Sequence, residues 1–103
     1  MKHSYMLVTH EGTVQRVDSD GPITPSAIRE QVGGDFKASG WAVLMFDLTV
    51  CLNERGAQLG LAVNVKFKNI LGNVLIGCKH QDVFRGLTDD EWAKVEQHIH
   101  HAL

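Results

Sequence analysis

Three side chains in this sequence combine a type and a position that suit acid–base or nucleophilic chemistry. Cys78 and His80 are two residues apart, and alternate residues of a β-strand share one face, so this spacing suits a nucleophile and its base. Asp47 interrupts an apolar run, where a buried carboxylate often has a raised pKa and a functional role. No third group orients either site. The sequence therefore favours a non-catalytic protein, and a small enzyme that uses Cys78, His80 or Asp47 stays open as an alternative.

Histidine and acidic clusters raise the question of a metal site. The chain has 6 histidines, of which His98 and His101 have a three-residue spacing that suits weak chelation on a helix. The helix dipole explains the same placement, because cationic side chains stabilise a helix C-terminus and acidic ones, here residues 89–91, stabilise its N-terminus. A zinc site would need a third ligand such as His80 or Cys78, and no spacing supports one. We therefore predict neither a metal nor another cofactor.

The residues best suited to ligand binding lie in and beside one predicted turn. Arg55 has a forked guanidinium that binds phosphate or carboxylate, and the amide of Asn64 both donates and accepts hydrogen bonds. With Asn53, Lys66 and Lys68 they form our candidate ligand-binding set. Alternatively, Asn53 and Asn64 make only the side-chain-to-backbone bonds that shape turns. No glycine-rich phosphate-binding loop occurs.

Composition and charge indicate one ordinary globular domain over residues 1–103. Hydrophobic residues make up 44% of the chain and charged residues 21%, which is close to the average globular protein and unlike a disordered chain. The formal net charge of −2 argues against a general nucleic-acid coat, which needs a basic surface. A small nucleic-acid-associated protein stays open as an alternative if four basic residues share one face. These are Lys66, Lys68, Lys79 and Arg85.

Apolar segments and cysteines bear on location. No stretch approaches the roughly 20 apolar residues of a membrane span, and the N-terminal apolar run is too short for a secretory signal. Cys51 and Cys78 lie in apolar segments, as buried free thiols do in a reducing compartment. A disulfide between neighbouring strands is the alternative. We therefore predict a cytoplasmic protein with no membrane contact.

Two helices have clear end signals. Thr24 is a good N-cap, Pro25 suits the first helical position and Gly33 suits a left-handed C-cap, which predicts a helix over residues 25–32. Thr88 and Glu91 have the spacing of a capping box. Apolar residues at helical spacing follow the box and predict a C-terminal helix over residues 89–101.

The remaining segments predict strands. An N-terminal hairpin is expected from Tyr5–Thr9 and Thr13–Val17. A short strand over 35–38 would end in a turn at Ser39-Gly40, and a strand over 41–52 would have a bulge or turn at Asp47. Further strands are predicted over 63–68, 74–79 and 83–85. The pattern predicts an α+β fold with a mostly antiparallel sheet of about five to six strands, and with both helices on one face or at one end. Because exposed sheet edges are often paired, a homodimer stays open.

Six short segments also occur in a recognisable order: Glu11-Gly12-Thr13, Val32-Gly33-Gly34, Asn53-Glu54-Arg55-Gly56, Leu61-Ala62-Val63-Asn64, Gly72-Asn73-Val74-Leu75-Ile76-Gly77 and Gly86-Leu87-Thr88-Asp89-Asp90-Glu91. Their succession covers nearly the whole chain. It resembles a family of small uncharacterised proteins, a domain of unknown function found in phages, plasmids and Gram-positive bacteria. The resemblance implies a setting in mobile genetic elements and brings no activity or catalytic residues. We therefore expect a non-catalytic accessory protein of a phage or other mobile element that binds a host protein or a small ligand. A role in counteracting host defence would rest on analogy with other phage proteins.

Overall fold

The computed structural model describes residues 2–43 and 46–101, which form a six-stranded antiparallel sheet and two helices. The α+β prediction is confirmed. Within the described ranges, no helix is long and apolar enough to cross a membrane. The elements are β1 (Lys2–Val8), β2 (Val14–Asp20), α1 (Pro25–Val32), β3 (Phe36–Val43), β4 (Phe46–Asn53), β5 (Val74–His80), β6 (Val83–Arg85) and α2 (Asp89–His101).

The sheet is assembled from hairpins around a central strand. Its order is β2-β1-β5-β4-β3, and β6 pairs with the C-terminal half of β5. Ile76 of β5 is in register with Met6 on one side and Val50 on the other. The run Val74–Cys78 is buried throughout, as expected for a strand covered on both faces.

The two helices cover opposite faces of the sheet. Ile28 of α1 packs with Tyr5 and Leu75, whereas Val95 of α2 packs with Met6 in a separate cluster. The expectation that both helices lie on one face or at one end is therefore wrong. The reason is that the central strands have apolar side chains at both even and odd positions, so each face of the sheet needs a cover.

Both helices begin, and α1 also ends, as their local signals predict. The Thr24 hydroxyl accepts a hydrogen bond from the Ala27 N–H at 3.2 Å, and Gly33 adopts a left-handed φ of 86°. At α2 the Thr88 N–H donates to the Glu91 carboxylate at 2.9 Å, and the Glu91 N–H donates back to the Thr88 hydroxyl at 3.2 Å. These reciprocal bonds confirm the capping box.

Two predictions for the middle of the chain are wrong. Strand β3 runs straight through Ser39 and Gly40, which pair with Val50 and Thr49 of β4, so there is no turn at these residues. The predicted strand over 41–52 is instead divided between β3, which ends at Val43, and β4, which begins at Phe46. Asp47 is the exposed second residue of β4, in register with Ala42, and does not mark a bulge. Pairing along the full length of β4 overrides the weak strand preference of a Ser-Gly pair.

The segment 63–68 is also not the strand that its alternating pattern predicts. Residues 54–73 form one long connection that contributes no strand to the sheet: its β-pairing is an isolated bridge between Val63 and Leu71. Its other backbone hydrogen bonds are those of turns and loop contacts, such as Leu61 N–H to Gly56 and Asn64 N–H to Ile70. A long loop with its own internal contacts is uncommon in a compact domain and is often functional. In contrast, the predicted strands over 74–79 and 83–85 correspond to β5 and β6, which confirms them.

Candidate functional site

Asn64 holds the long loop, residues 54–73, against the sheet. Its side chain is fully buried, and its amide oxygen accepts hydrogen bonds from the N–H groups of Lys66 and Phe67 at 2.9 and 3.0 Å. The amide nitrogen donates to three carbonyls at 2.9 to 3.3 Å, those of Val8, Thr9 and Gly72. One side chain therefore ties β1, the turn before β5 and the loop together.

Asn53 has a similar structural role at the end of β4. It is buried, its amide nitrogen donates to the Val32 carbonyl at 3.1 Å, and its amide oxygen accepts from the Arg55 N–H at 2.8 Å. The amides of Asn53 and Asn64 are thus used on the backbone, as the turn-bond alternative describes. The Arg55 side chain is exposed. A ligand-binding role for Asn53, Arg55 and Asn64 stays a prediction.

The other two members of the predicted set, Lys66 and Lys68, line a cleft that the sequence did not reveal. Trp41 of β3 lies between two other rings: its centroid is 5.0 Å from that of Phe67 and 5.9 Å from that of His98, with interplanar angles of 71° and 64°. The cleft has a volume of about 310 Å³. We call it the aromatic cleft; the rest of its lining is Lys66, Lys68, Asn69, Ile70 and Ile99.

Each ring of the aromatic cleft is positioned by a different element. Trp41 points to the α2 side because it is in register with Leu48, which belongs to the core under α2. Phe67 is placed by the bond between its N–H and Asn64. His98 precedes the buried Ile99 on α2 and is itself exposed. The sequence suggested a dipole role or weak metal chelation for His98, whereas the structure places it against Trp41, 57 positions away in the chain.

A second cavity continues the aromatic cleft along β3. It has a volume of about 280 Å³ and shares Trp41, Phe67 and Ile70 with the first. Lys37 lies in this second cavity, whereas Lys66 and Lys68 lie in the first. None of the described residues that line the two cavities is acidic. Apolar and aromatic walls are therefore bordered by cationic groups, which favours anionic ligands with an apolar part.

The thiols are in an environment that suppresses nucleophilic chemistry. Both cysteines are free and buried. Burial raises the pKa of the Cys51 thiol to about 11. Burial also raises the pKa of Cys78, and the nearby Arg85 opposes this rise only in part. A catalytic thiol needs a lowered pKa, so the local chemistry does not favour the enzyme alternative. His80 and Asp47 are both exposed.

The four basic residues of the nucleic-acid alternative do not share a face. Lys79 borders a cavity on the α1 side of the sheet, 4.0 Å from the Asp82 carboxylate. Arg85 donates two hydrogen bonds to the Glu91 carboxylate, at 2.9 and 3.1 Å. Only Lys66 and Lys68 remain together. The four basic residues therefore do not form the single basic face that the nucleic-acid alternative requires.

The described residues contain no group of three or more His, Cys, Asp or Glu side chains that could hold a metal ion. His98 contacts Trp41 instead, and the side chain of its predicted partner His101 lies outside the described part of the structure. Acidic residues 89–91 start α2, and Glu91 is engaged by Arg85 and Thr88.

Comparison with family models, curated proteins and solved structures found no match to this chain. The resemblance to a family of phage and plasmid proteins therefore stays a prediction.

Proposed function

We propose that this protein is a non-catalytic binding protein that holds a small, planar, anionic molecule in the aromatic cleft. The observation that supports this most directly is the arrangement of Trp41 against Phe67 and His98, with Lys66 and Lys68 in the same wall. Aromatic walls bind flat ligands by stacking and edge contacts. The lysines supply ammonium groups for a carboxylate or phosphate.

The size of the cleft limits the ligand. A volume of about 310 Å³ is at the small end of the range for sites that hold organic molecules. The His98 and Lys68 side chains are exposed, so a ligand would stay partly in contact with water. We expect dissociation constants of about 10–100 µM for simple aromatic anions, because such a site buries only part of the ligand.

This proposal fits the setting that the resemblance implies. A small accessory protein of a phage or other mobile element would act by binding a small host molecule and would need no catalytic group. A host protein is a second candidate partner, because three apolar side chains of the long loop are 45–56% exposed. These are Leu59, Val63 and Val65. Exposed apolar side chains on one loop offer contact area to a protein partner where they lie side by side.

Tryptophan fluorescence tests the proposal directly. The chain has 2 tryptophans, so Trp92→Phe leaves Trp41 as the reporter. We would titrate this variant with adenosine monophosphate and with 1-naphthoate, and compare 1-naphthalenemethanol as an uncharged analogue. We expect a saturable change with the anions and weaker binding of the alcohol. The double variant K66A/K68A should weaken anion binding by about tenfold, since it removes two ammonium groups.

Lys94 supplies the matched control, because it is exposed on α2 and does not line the cleft. Lys94→Ala should leave binding unchanged. If none of the anions at millimolar concentration changes the Trp41 signal in a saturable way, the small-ligand proposal is wrong. The host-protein candidate predicts instead that Val63→Asp and Leu59→Asp abolish capture of a defined partner while anion binding by the cleft is unaffected.

A further inference from the structure

The outer edge of β3 is long and unprotected. β3 pairs with β4 without interruption over Phe36–Val43, so it has no bulge. It is the last strand in the sheet order, and within residues 2–43 and 46–101 no strand pairs with its other side. Residues 37–40 are all exposed. Such an edge presents unpaired N–H and C=O groups that are suited to pairing with another strand.

The opposite edge of the sheet differs. Strand β2 has charged side chains at Arg16, Asp18 and Asp20, and Asp18 forms an ion pair with Lys2 at 3.3 Å. Charges on an edge strand are a common protection against unwanted pairing. The middle of β3 has one charge, on Lys37, followed by the small residues 38–40. The β2 and β3 edges of the sheet are therefore built differently, and of these two described edges β3 is the one suited to form an interface.

We propose that β3 pairs antiparallel with β3 of a second copy of this chain, around a two-fold axis that passes through Ser39. The two sheets would then join into one, with the order β2-β1-β5-β4-β3 repeated in reverse. In this register Ser39 lies opposite Ser39, and Ala38 lies opposite Gly40 of the second copy. These small side chains allow the two backbones to approach to the normal spacing of a sheet.

Complementarity of charge and shape favours this register, and it favours a second copy of the same chain as the partner. A two-fold axis at Ser39 places Lys37 opposite Trp41 of the second copy on the same face, twice per dimer, and an ammonium group beside an indole is attractive. An axis at Lys37 would instead place two like charges opposite each other, which is destabilising. An axis at Gly40 would place Ser39 opposite Trp41 and leave Lys37 without the indole. Of these three registers, the one centred on Ser39 is the complementary one.

The dimer would also change the aromatic cleft. Trp41 is one wall of that cleft, so Lys37 of the second copy would add an ammonium group beside Lys66 and Lys68. The dimer does not depend on the proposed ligand-binding function, because its evidence is the β3 edge. Each proposal can therefore fail without the other.

Cross-linking and sedimentation test the interface. Wild-type protein should sediment as a dimer at about 100 µM, a concentration at which even a modest interface is occupied. Ser39→Cys should be joined to its symmetry mate by a short bis-maleimide, because opposite residues of paired strands are about 5 Å apart. The native cysteines are buried and will not compete. Ser19→Cys, on the β2 edge, is the matched control and should stay monomeric on a denaturing gel.

Lys37→Ala should weaken the dimer by about 5- to 30-fold, since two cation–π contacts are lost. Lys94→Ala should leave the dimer unchanged. Circular dichroism would confirm that each variant is folded. A wild-type protein that sediments as a monomer at this concentration overturns the proposal. So does a dimer that fails to cross-link through Ser39→Cys, cross-links equally through Ser19→Cys, or is insensitive to Lys37→Ala.

Discussion

Asn64 connects more of the molecule than any neighbouring side chain of the long loop. Its five hydrogen bonds reach Val8 and Thr9 at the end of β1, Gly72 before β5, and two N–H groups of the loop itself. Because the side chain is fully buried, each bond that is lost leaves a polar group with poor access to water. The shape of the aromatic cleft depends on it, since Phe67 is one of its partners.

Replacing Asn64 by Asp should therefore destabilise the protein strongly. The substitution keeps the shape and the acceptor, but it places a carboxylate against three carbonyl oxygens. We expect the free energy of unfolding to fall by about 3 kcal/mol, measured by urea denaturation at pH 7. Asn69→Asp, an exposed position in the same loop, is the control and should change stability by less than about 0.5 kcal/mol. Equal effects at the two positions would contradict the anchoring role.

The polar residue types of the site were visible in the sequence, but their partners were not. Asn53 and Asn64 were recognised as residues able to bind a ligand or shape a turn, and the structure shows the turn bonds. The partner that makes Asn64 an anchor, Val8, is 56 residues away. The contact of Trp41 with His98 is likewise long-range. Neither follows from local spacing.

Helix α2 is attached to the sheet by an ion pair at its first turn. Glu91 accepts from Arg85 and from Thr88, so the same carboxylate caps the helix and holds β6. Burial on its own would raise the pKa of Glu91, but the hydrogen bonds from Arg85 and Thr88 outweigh burial and lower it below the ordinary value of 4.5. The ionised form is thus favoured in the folded protein.

This lowered pKa predicts how stability depends on pH. The contribution of ionised Glu91 to the free energy of unfolding is fully present above pH 4.5. It is lost as the pH falls through the lower pKa that Glu91 has in the folded state. Glu91→Gln should therefore cost about 2 kcal/mol in unfolding free energy at pH 7 and progressively less below pH 4. Urea denaturation from pH 7 to pH 3 measures this difference. Glu54→Gln, at an exposed position, should track the wild type, and a cost that does not shrink with acid would contradict the assignment.

Elements with local signals were predictable, and those with distant partners were not. Both helices have the predicted bounds, and the starts of both and the end of α1 were predictable because a cap is decided by residues within one turn. The prediction of a turn at Ser39-Gly40 was wrong because both residues pair with β4, and the turn preference of a short segment gives no information about a distant pairing partner. The strand over 63–68 was wrong because Asn64 supplies the hydrogen bonds that a sheet neighbour would otherwise supply. The apolar pattern of the strands identified the core residues, but it did not show that they form a separate cluster on each face of the sheet.

At the scale of the whole molecule, the sheet separates two hydrophobic clusters, and each contains one cysteine. Cys51 packs under α1 with Tyr5 and Leu75, whereas Cys78 packs under α2 with Ile76. The two thiols therefore report on the opening of the two faces separately. Cys51 is 2% exposed and Cys78 is 9% exposed.

Thiol labelling should follow this difference. In native buffer both cysteines should react at least about a thousandfold more slowly than an exposed thiol, since labelling requires opening of the fold. Cys78 should react before Cys51, because it pairs with the three-residue strand β6. Mass spectrometry of peptides after pulsed alkylation measures both rates. Ser26→Cys, exposed on α1, is the reference, and faster labelling of Cys51 than of Cys78 would contradict the prediction.

The strand order has a consequence for the time that the chain needs to fold. Three hairpins, β1–β2, β3–β4 and β5–β6, join strands that follow each other in sequence. The pair at the middle of the sheet, β1–β5, joins Met6 to Ile76. Bringing β1 and β5 together closes the long segment between them, which costs conformational entropy before the stabilising contacts form. Such pairings therefore form late and slowly. During synthesis on the ribosome, the apolar faces of β1 stay uncovered until β5 has been made, and the chain is most prone to aggregation in this interval.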